Sequence, residues 1–456
     1  MKQRHMTMMA IGGVIGGGLF LGSGAVIHST GPGAVFSYAL VGMFMVFIMR
    51  MLGEMSTVYP SSGSFSTYAH NEIGPWAGYT IGWLYWFYWV VVITIEAMMA
   101  GMIIHEWVPS ISIGMIGFLC IVLLTLTNIF SARLFGEFEY WFSIIKVVAI
   151  VSFLIIGIAM IFGLFPHIEK PGVSNLLDRG GLMPNGFGSL LTAIMVVIFA
   201  YPGIEITTIA AGESPNPQKA VMAAINSVIW RILVFYIGSV TILVTILPWD
   251  SSSALKSPFV TVLDMLRIPG ASLIMNIIIL VAVLSVLNTG IYTTSRMLYS
   301  LAEKGDAPRV LLRVTKKGSP IWAVLGSTVF SLVALVSSTI SPDKLYLLLI
   351  NAIACIALIV YIVVALSHVR MRKRLERDNP EALIVRMWLF PYLTYFTIAA
   401  MVSVLIAMAL IETNRSQLIA TLITTAIVLA SYFLTKLKKR SSDQIKSDEE
   451  SYRAIK

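Results

Sequence analysis

Polar and charged positions in this chain are gathered into short breaks between long apolar runs; they neither alternate with apolar residues nor recur at helical spacing. A helix of about 20 apolar residues crosses a hydrocarbon core of ~30 Å. On that rule the pattern predicts spans at 7–28, 34–55, 76–104, 112–131, 139–164 and 187–211. A second set follows at 229–248, 271–301, 320–341, 345–367, 388–411 and 416–435. The alternation of a membrane barrel is missing. The expected fold class is therefore an all-α integral membrane protein with twelve transmembrane helices.

Composition agrees. Of 456 residues, 57% are hydrophobic and 12% charged, against about 25% charged in soluble proteins. That excludes an ordinary soluble enzyme, a disordered chain and a disulfide scaffold. No cleavable signal is expected, because Met1–Thr7 lead directly into a glycine-rich run.

Charge placement sets the expected topology. Twelve spans put both termini on one side, and that side collects 25 of the 32 Lys and Arg residues, with Arg50, Lys219, Arg231 and Arg296 assigned to it. The opposite side holds 6, and Lys146 falls inside a span. Basic residues favour the cytoplasmic side, so a multi-pass cell-membrane protein with cytoplasmic termini is expected. The net charge of +9 then reflects topology and lipid headgroups rather than nucleic acid. The tail 436–456 is polar and expected to be disordered, its Lys-rich start at anionic headgroups. Cys120 and Cys355 lie in apolar runs and the six histidines show no ligand spacing. Neither a metal site nor a cofactor is expected.

Two spans are interrupted. Residues 11–24 hold seven glycines in fourteen positions, each costing a helix ~1 kcal/mol against Ala. The sixth span carries Phe199-Ala200-Tyr201-Pro202-Gly203-Ile204-Glu205, where proline removes a backbone donor. Small-residue helix packing, as in Gly12-x-x-x-Gly16, is the structural alternative. Breaks five spans apart instead fit an inverted repeat whose broken helices form a midplane site. Freed N–H groups suit a carboxylate and freed C=O groups an ammonium. An amino acid carries both.

Several blocks extend the pattern: Gly12-Gly13-Val14-Ile15-Gly16-Gly17-Gly18-Leu19-Phe20, Met49-Arg50-Met51-Leu52-Gly53-Glu54-Met55, Gly63-Ser64-Phe65-Ser66-Thr67-Tyr68-Ala69, Gly82-Trp83-Leu84-Tyr85-Trp86, Glu137-Phe138-Glu139-Tyr140-Trp141 and Ser295-Arg296-Met297-Leu298-Tyr299-Ser300. With them the chain resembles, over nearly its whole length, the amino acid permeases of the amino acid–polyamine–organocation superfamily. It looks most like their bacterial 4-aminobutyrate (GABA) permeases. The resemblance implies a five-plus-five inverted repeat, with helices 1–5 in 1–164, helices 6–10 in 187–367, two further helices in 388–435 and a cytoplasmic tail. It implies amides of Gly16, Gly17 and Gly18 for the substrate carboxylate, carbonyls of Val14, Phe199, Ala200 and Pro202 beside Gly203 for the amine, and Phe199 as an aromatic gate. Pro202 and Val286 depart from the GABA-permease pattern. A longer cytoplasmic arm before the first span is also implied.

Charges inside a membrane require a reason. Lys146 either snorkels to headgroups or stands in for a coupling cation and exchanges a proton. Superfamily members use a fifth-helix Lys in place of sodium, which favours the second meaning. Glu205 either carries a proton or bonds freed amides, and Glu96 either faces the cavity or pairs with a buried donor. Glu54 and Glu213 are expected to be solvated or capping. Trp83, Trp86 and Trp89 form a stripe read as packing, and Asn288 and Tyr292 are candidate cavity lining.

The leading expectation is a secondary transporter importing an amino acid, GABA or a small neutral one, with a proton. Spans one, two, six and seven would rock against a scaffold. An amino acid exchanger is the nearest rival; a channel or receptor is the rival of another class. No nucleophile with a base and no phosphate loop suggests an enzyme.

Overall fold

The computed structural model describes residues 8, 15–61, 63–130, 132–165, 174–201, 203–211, 216–251, 257–338 and 342–454, with side chains described except at 132–134, 199, 207, 210, 211, 217, 220, 337, 338, 342–352, 413 and 437–454. Among these residues every regular element is helical. Among the described residues nine helices are long and apolar enough to cross a membrane, and Gly188–Ile198 and Ile321–Val336 are shorter apolar ones. The first long stretch, Gly17–Val58, contains the short helices Gly17–Phe20 and Gly22–Thr30, a tight turn at Gly31–Gly33, and the helix Ala34–Val58.

The helix Pro75–Trp107 is the centre of the bundle, with 83% of its apolar window buried inside the protein. It packs along Ala271–Glu303 and Ile113–Phe130. Where every surface is apolar, hydrogen bonds between helices supply specificity. Trp86 Nε1 donates to Ser327 Oγ at 2.9 Å and Thr94 Oγ1 to the Ser331 carbonyl at 3.2 Å, tying this helix to Ile321–Ser338. The tryptophan stripe therefore packs, as expected. The helices Tyr392–Leu410 and Glu412–Ala454 lie outside, with 22% and 17% of their windows buried. Ile406, Leu410 and Leu434 there are exposed at the surface.

Three expectations are corrected. Residues 436–454 continue the last helix instead of forming a disordered tail; no Gly or Pro interrupts the run. The seventh helix starts at Pro217, not near 229, and runs to Ile246 with a π-helical stretch at Arg231–Gly238. Arg231 is therefore in the middle of that helix and buried, not at a cytoplasmic end. Glu54 is neither solvated nor a cap. It is fully buried, 2.7 Å from Arg372 Nη1 and 3.2 Å from His368 Nε2, and accepts the Met387 N–H at 2.5 Å. Its partners lie more than 300 residues away in sequence, beyond the reach of local pattern. Glu213 lies outside the described residues.

Breaking a buried ion pair on one side strands the other charge, at about 3–5 kcal/mol. Arg372→Met should therefore lower the melting temperature of the detergent-solubilised protein clearly, and Glu54→Gln added to it should restore most of the loss. Equal melting of wild type and single variant would remove this lock from the account.

Candidate functional site

The site grows from the two interruptions. At the first, Gly16 is extended (φ −134°, ψ −161°) and a new helix starts at Gly17. The leading N–H groups of a helix lack intrahelical acceptors. The Glu96 carboxylate lies against that end of the helix. The approach is close enough to require glycine. A Cβ at Gly17 would lie 2.1 Å from Met99 Sδ and 3.1 Å from Glu96 Oε2; one at Gly16 would lie 2.5 Å from Val286 Cγ2 and 3.1 Å from Glu96 Oε1. Glu96 and Val286 are thus part of the wall beside the break.

At the second interruption the helix Gly188–Phe199 ends and Ile206–Ala211 resumes. The Ala200 N–H bonds back to the Val197 carbonyl at 2.9 Å, a tightened last turn. Gly203 takes φ +95°, which glycine alone adopts readily. Glu205 is buried beneath this turn. It accepts from Tyr85 OH at 2.8 Å and Tyr361 OH at 3.4 Å.

Lys146 is fully buried and does not snorkel. Its Nζ donates to Ser285 Oγ at 2.8 Å, and Ser285 Oγ donates to Glu139 Oε1 at 2.6 Å. Nζ and Glu139 Oε1 are 3.7 Å apart, both side chains without solvent contact. Glu96 lies within electrostatic range of Lys146. The structure therefore brings Lys146, Glu96, Gly16, Gly17 and Val286 into one neighbourhood. Gly18 follows on the same short helix, buried.

Glu205 stands apart. It is bonded to Tyr85, eleven residues before Glu96 on the Pro75–Trp107 helix, or about 16 Å at 1.5 Å per residue. Asn288 and Tyr292 are buried in packing contacts. Asn288 Oδ1 accepts from Asn128 Nδ2 at 2.8 Å, and Tyr292 stacks on Phe135 at 4.2 Å with Arg296 3.9 Å over its ring. Val14 and Pro202 lie outside the described residues, as does the Phe199 side chain; Ala200 is buried.

Sequence reasoning missed Glu139, Ser285, Tyr85 and Tyr361. One clue was present: Glu139 precedes Lys146 by seven residues, two turns along one helix face. Ser285 gave no local clue, because its partners come from another helix. Ser285→Ala should cut proton-driven accumulation by about 5–10-fold while sparing exchange, on the ~1–1.5 kcal/mol scale of a hydrogen bond. Accumulation equal to wild type would show that the three-residue chain carries no proton.

A family model described as amino acid permease matches residues 5–446. The gamma-aminobutyric acid permease of Bacillus subtilis (strain 168) is 56% identical over 441 residues, covering 97% of this chain and 94% of that protein. The gamma-aminobutyric acid permease of Escherichia coli (strain K12) is 44% identical, covering 96% and 94%. The aromatic amino acid transport protein AroP of Corynebacterium glutamicum is 40% identical, covering 95% and 94%.

Proposed function

The chain belongs to the amino acid permease family, and on that premise we propose that it imports GABA or a small neutral amino acid by proton symport. It is an amino acid transporter of the membrane; substrate, coupling and direction are the proposed parts. The observation that carries the reading is the Glu96 carboxylate packed against Gly16 and Gly17 at the break of the first helix. A substrate carboxylate is drawn to that same helix start. Protonating Glu96 removes its charge and weakens its hold, so proton and substrate favour each other's binding, as reciprocal coupling demands.

The amine end faces the second break, where the carbonyls of Phe199, Ala200 and Pro202 beside Gly203, with that of Val14, are its acceptors and Phe199 is the gate. Glu205, held by two tyrosine hydroxyls, keeps the break in shape and is available as a second proton carrier. Lys146 resets the cycle. Its Nζ passes a proton to Ser285 Oγ, whose own proton moves to Glu139 Oε1, along bonds of 2.8 and 2.6 Å.

The architecture proposed around this site is a twelve-helix bundle with a five-plus-five inverted repeat. Spans one, two, six and seven rock to expose the site alternately. Both termini are cytoplasmic in a cell-membrane protein; moving Arg231 into the bilayer leaves the basic asymmetry intact. Uptake of labelled GABA into proteoliposomes, competed by alanine, proline and aromatic amino acids, tests the substrate. GABA and one of the small amino acids should compete best. Best competition by an aromatic amino acid would overturn the assignment.

A further inference from the structure

Arg231 is an anomaly among the buried cations. Lys146 has Glu139 and Arg372 has Glu54, each as an ion-pair partner. Among the described residues Arg231 has no carboxylate partner, and its Nε, Nη1 and Nη2 have no hydrogen-bond partner. It is only 4% exposed. It stands fourteen residues after Pro217 and fifteen before Ile246, about 20 Å from either end of its helix. An arginine stays charged in a protein. Its counter-charge must therefore come from outside the chain's own described residues.

The surroundings are built for contact at this point. Arg231 opens the π-helical stretch Arg231–Gly238, a geometry that recurs at functional sites. The wider turn puts Arg231 and Tyr236, five apart, on one face, and the phenol lies within electrostatic range of the guanidinium. Tyr236 stacks on Tyr201 at 4.4 Å, and Tyr201 sits in the break of the sixth span. Tyr201 OH donates to the Tyr38 carbonyl at 3.0 Å, and the Tyr38 ring lies 6.4 Å from that of Tyr236. Tyr38 OH, fully buried, has no partner among the described residues. Gly42, one turn further, lets the Ala34–Val58 helix close on this corner: a Cβ there would lie 2.4 Å from Ile232 Cγ2 and 3.0 Å from Tyr201 OH.

We propose that Arg231 and Tyr38 form a binding site for one small monovalent anion, enclosed by the Tyr38, Tyr201 and Tyr236 rings between the second, sixth and seventh spans. The groups offered are a cation and a hydroxyl donor, which suit an acceptor without protons of its own. One negative charge neutralises the site. A halide and a small free carboxylate from solution share that chemistry. Because Tyr201 belongs to the broken turn, filling the site orders the break at which the amine end of the substrate is placed.

The test is thermal melting of the purified full-length protein in detergent at constant ionic strength, which does not depend on transport. Chloride, acetate and bulky gluconate serve as the probes. A small anion should raise the melting temperature by about 2–4 °C over gluconate. A rise with chloride assigns the site to a halide, and a rise with acetate alone assigns it to a small free carboxylate. Arg231→Met should abolish the rise and Arg231→Lys should retain part of it. Tyr38→Phe, which removes only the hydroxyl, should shift the anion titration midpoint about 5–10-fold. Equal melting in all three salts, or a full rise in both Arg231→Met and Tyr38→Phe, would overturn the proposal.

Discussion

Lys146→Met should abolish accumulation of substrate against its gradient, lowering it at least ~10-fold, while substrate-for-substrate exchange continues. The expectation follows from the bond chain. With Lys146 gone, Ser285 has no cation to receive a proton from, and Glu139 and Glu96 lose the charge between them. The site still binds substrate through backbone, so exchange survives. A stranded buried Glu139 costs stability, about 3–5 kcal/mol when one member of a pair is removed. The double variant Lys146→Met with Glu139→Gln should therefore recover the melting temperature yet remain uncoupled. Recovery of gradient-driven accumulation in the double variant would show that Lys146 is structural only.

Gly17→Ala should reduce uptake by about 10–100-fold, the range expected when overpacking costs 1–3 kcal/mol. The added methyl would meet Met99 Sδ at 2.1 Å and stand 3.1 Å from Glu96 Oε2. Two consequences separate here. The clash with Met99 is steric, and Met99→Ala should relieve it. The crowding of Glu96 against Gly17 is functional, and Met99→Ala should not relieve it. The double variant should thus regain its melting temperature and only part of its uptake. Initial rates in proteoliposomes, set beside melting curves, distinguish the two. Full uptake in Gly17→Ala alone would mean that the first break does not line the substrate site.

What was legible in the sequence is what local chemistry dictates. The two breaks were visible because Gly-rich and Pro-Gly segments cannot continue a helix unaided, and the structure shows extended backbone at Gly16 and a left-handed Gly203. Lys146 was visible because a charge inside an apolar run requires a partner. The identity of that partner was half-visible. Glu139 shares a helix face with Lys146, whereas Ser285 arrives from a helix nearly 140 residues on.

Glu54 shows the limit from the other side. A carboxylate near a span end reads as solvated until Arg372 and His368, far along the chain, fold onto it. Arg231 falls at a span end in the sequence reading because Asn226 and Ser227 interrupt the apolar stretch that begins at Val221, whereas the helix itself starts at Pro217. The tail was misread because composition speaks of burial, and a helix without Gly or Pro can extend past the last buried turn.

The central claim is that an inward proton gradient drives the substrate through the site at the two breaks. The most direct measurement is labelled GABA uptake into sodium-free proteoliposomes, with and without an imposed inward proton gradient, alongside proton entry read by an internal pH dye. The account predicts accumulation above equilibrium only with the gradient, proton entry that depends on GABA, and loss of both in Lys146→Met. Uptake that never exceeds equilibrium, or that proceeds without GABA-dependent proton entry, would contradict it.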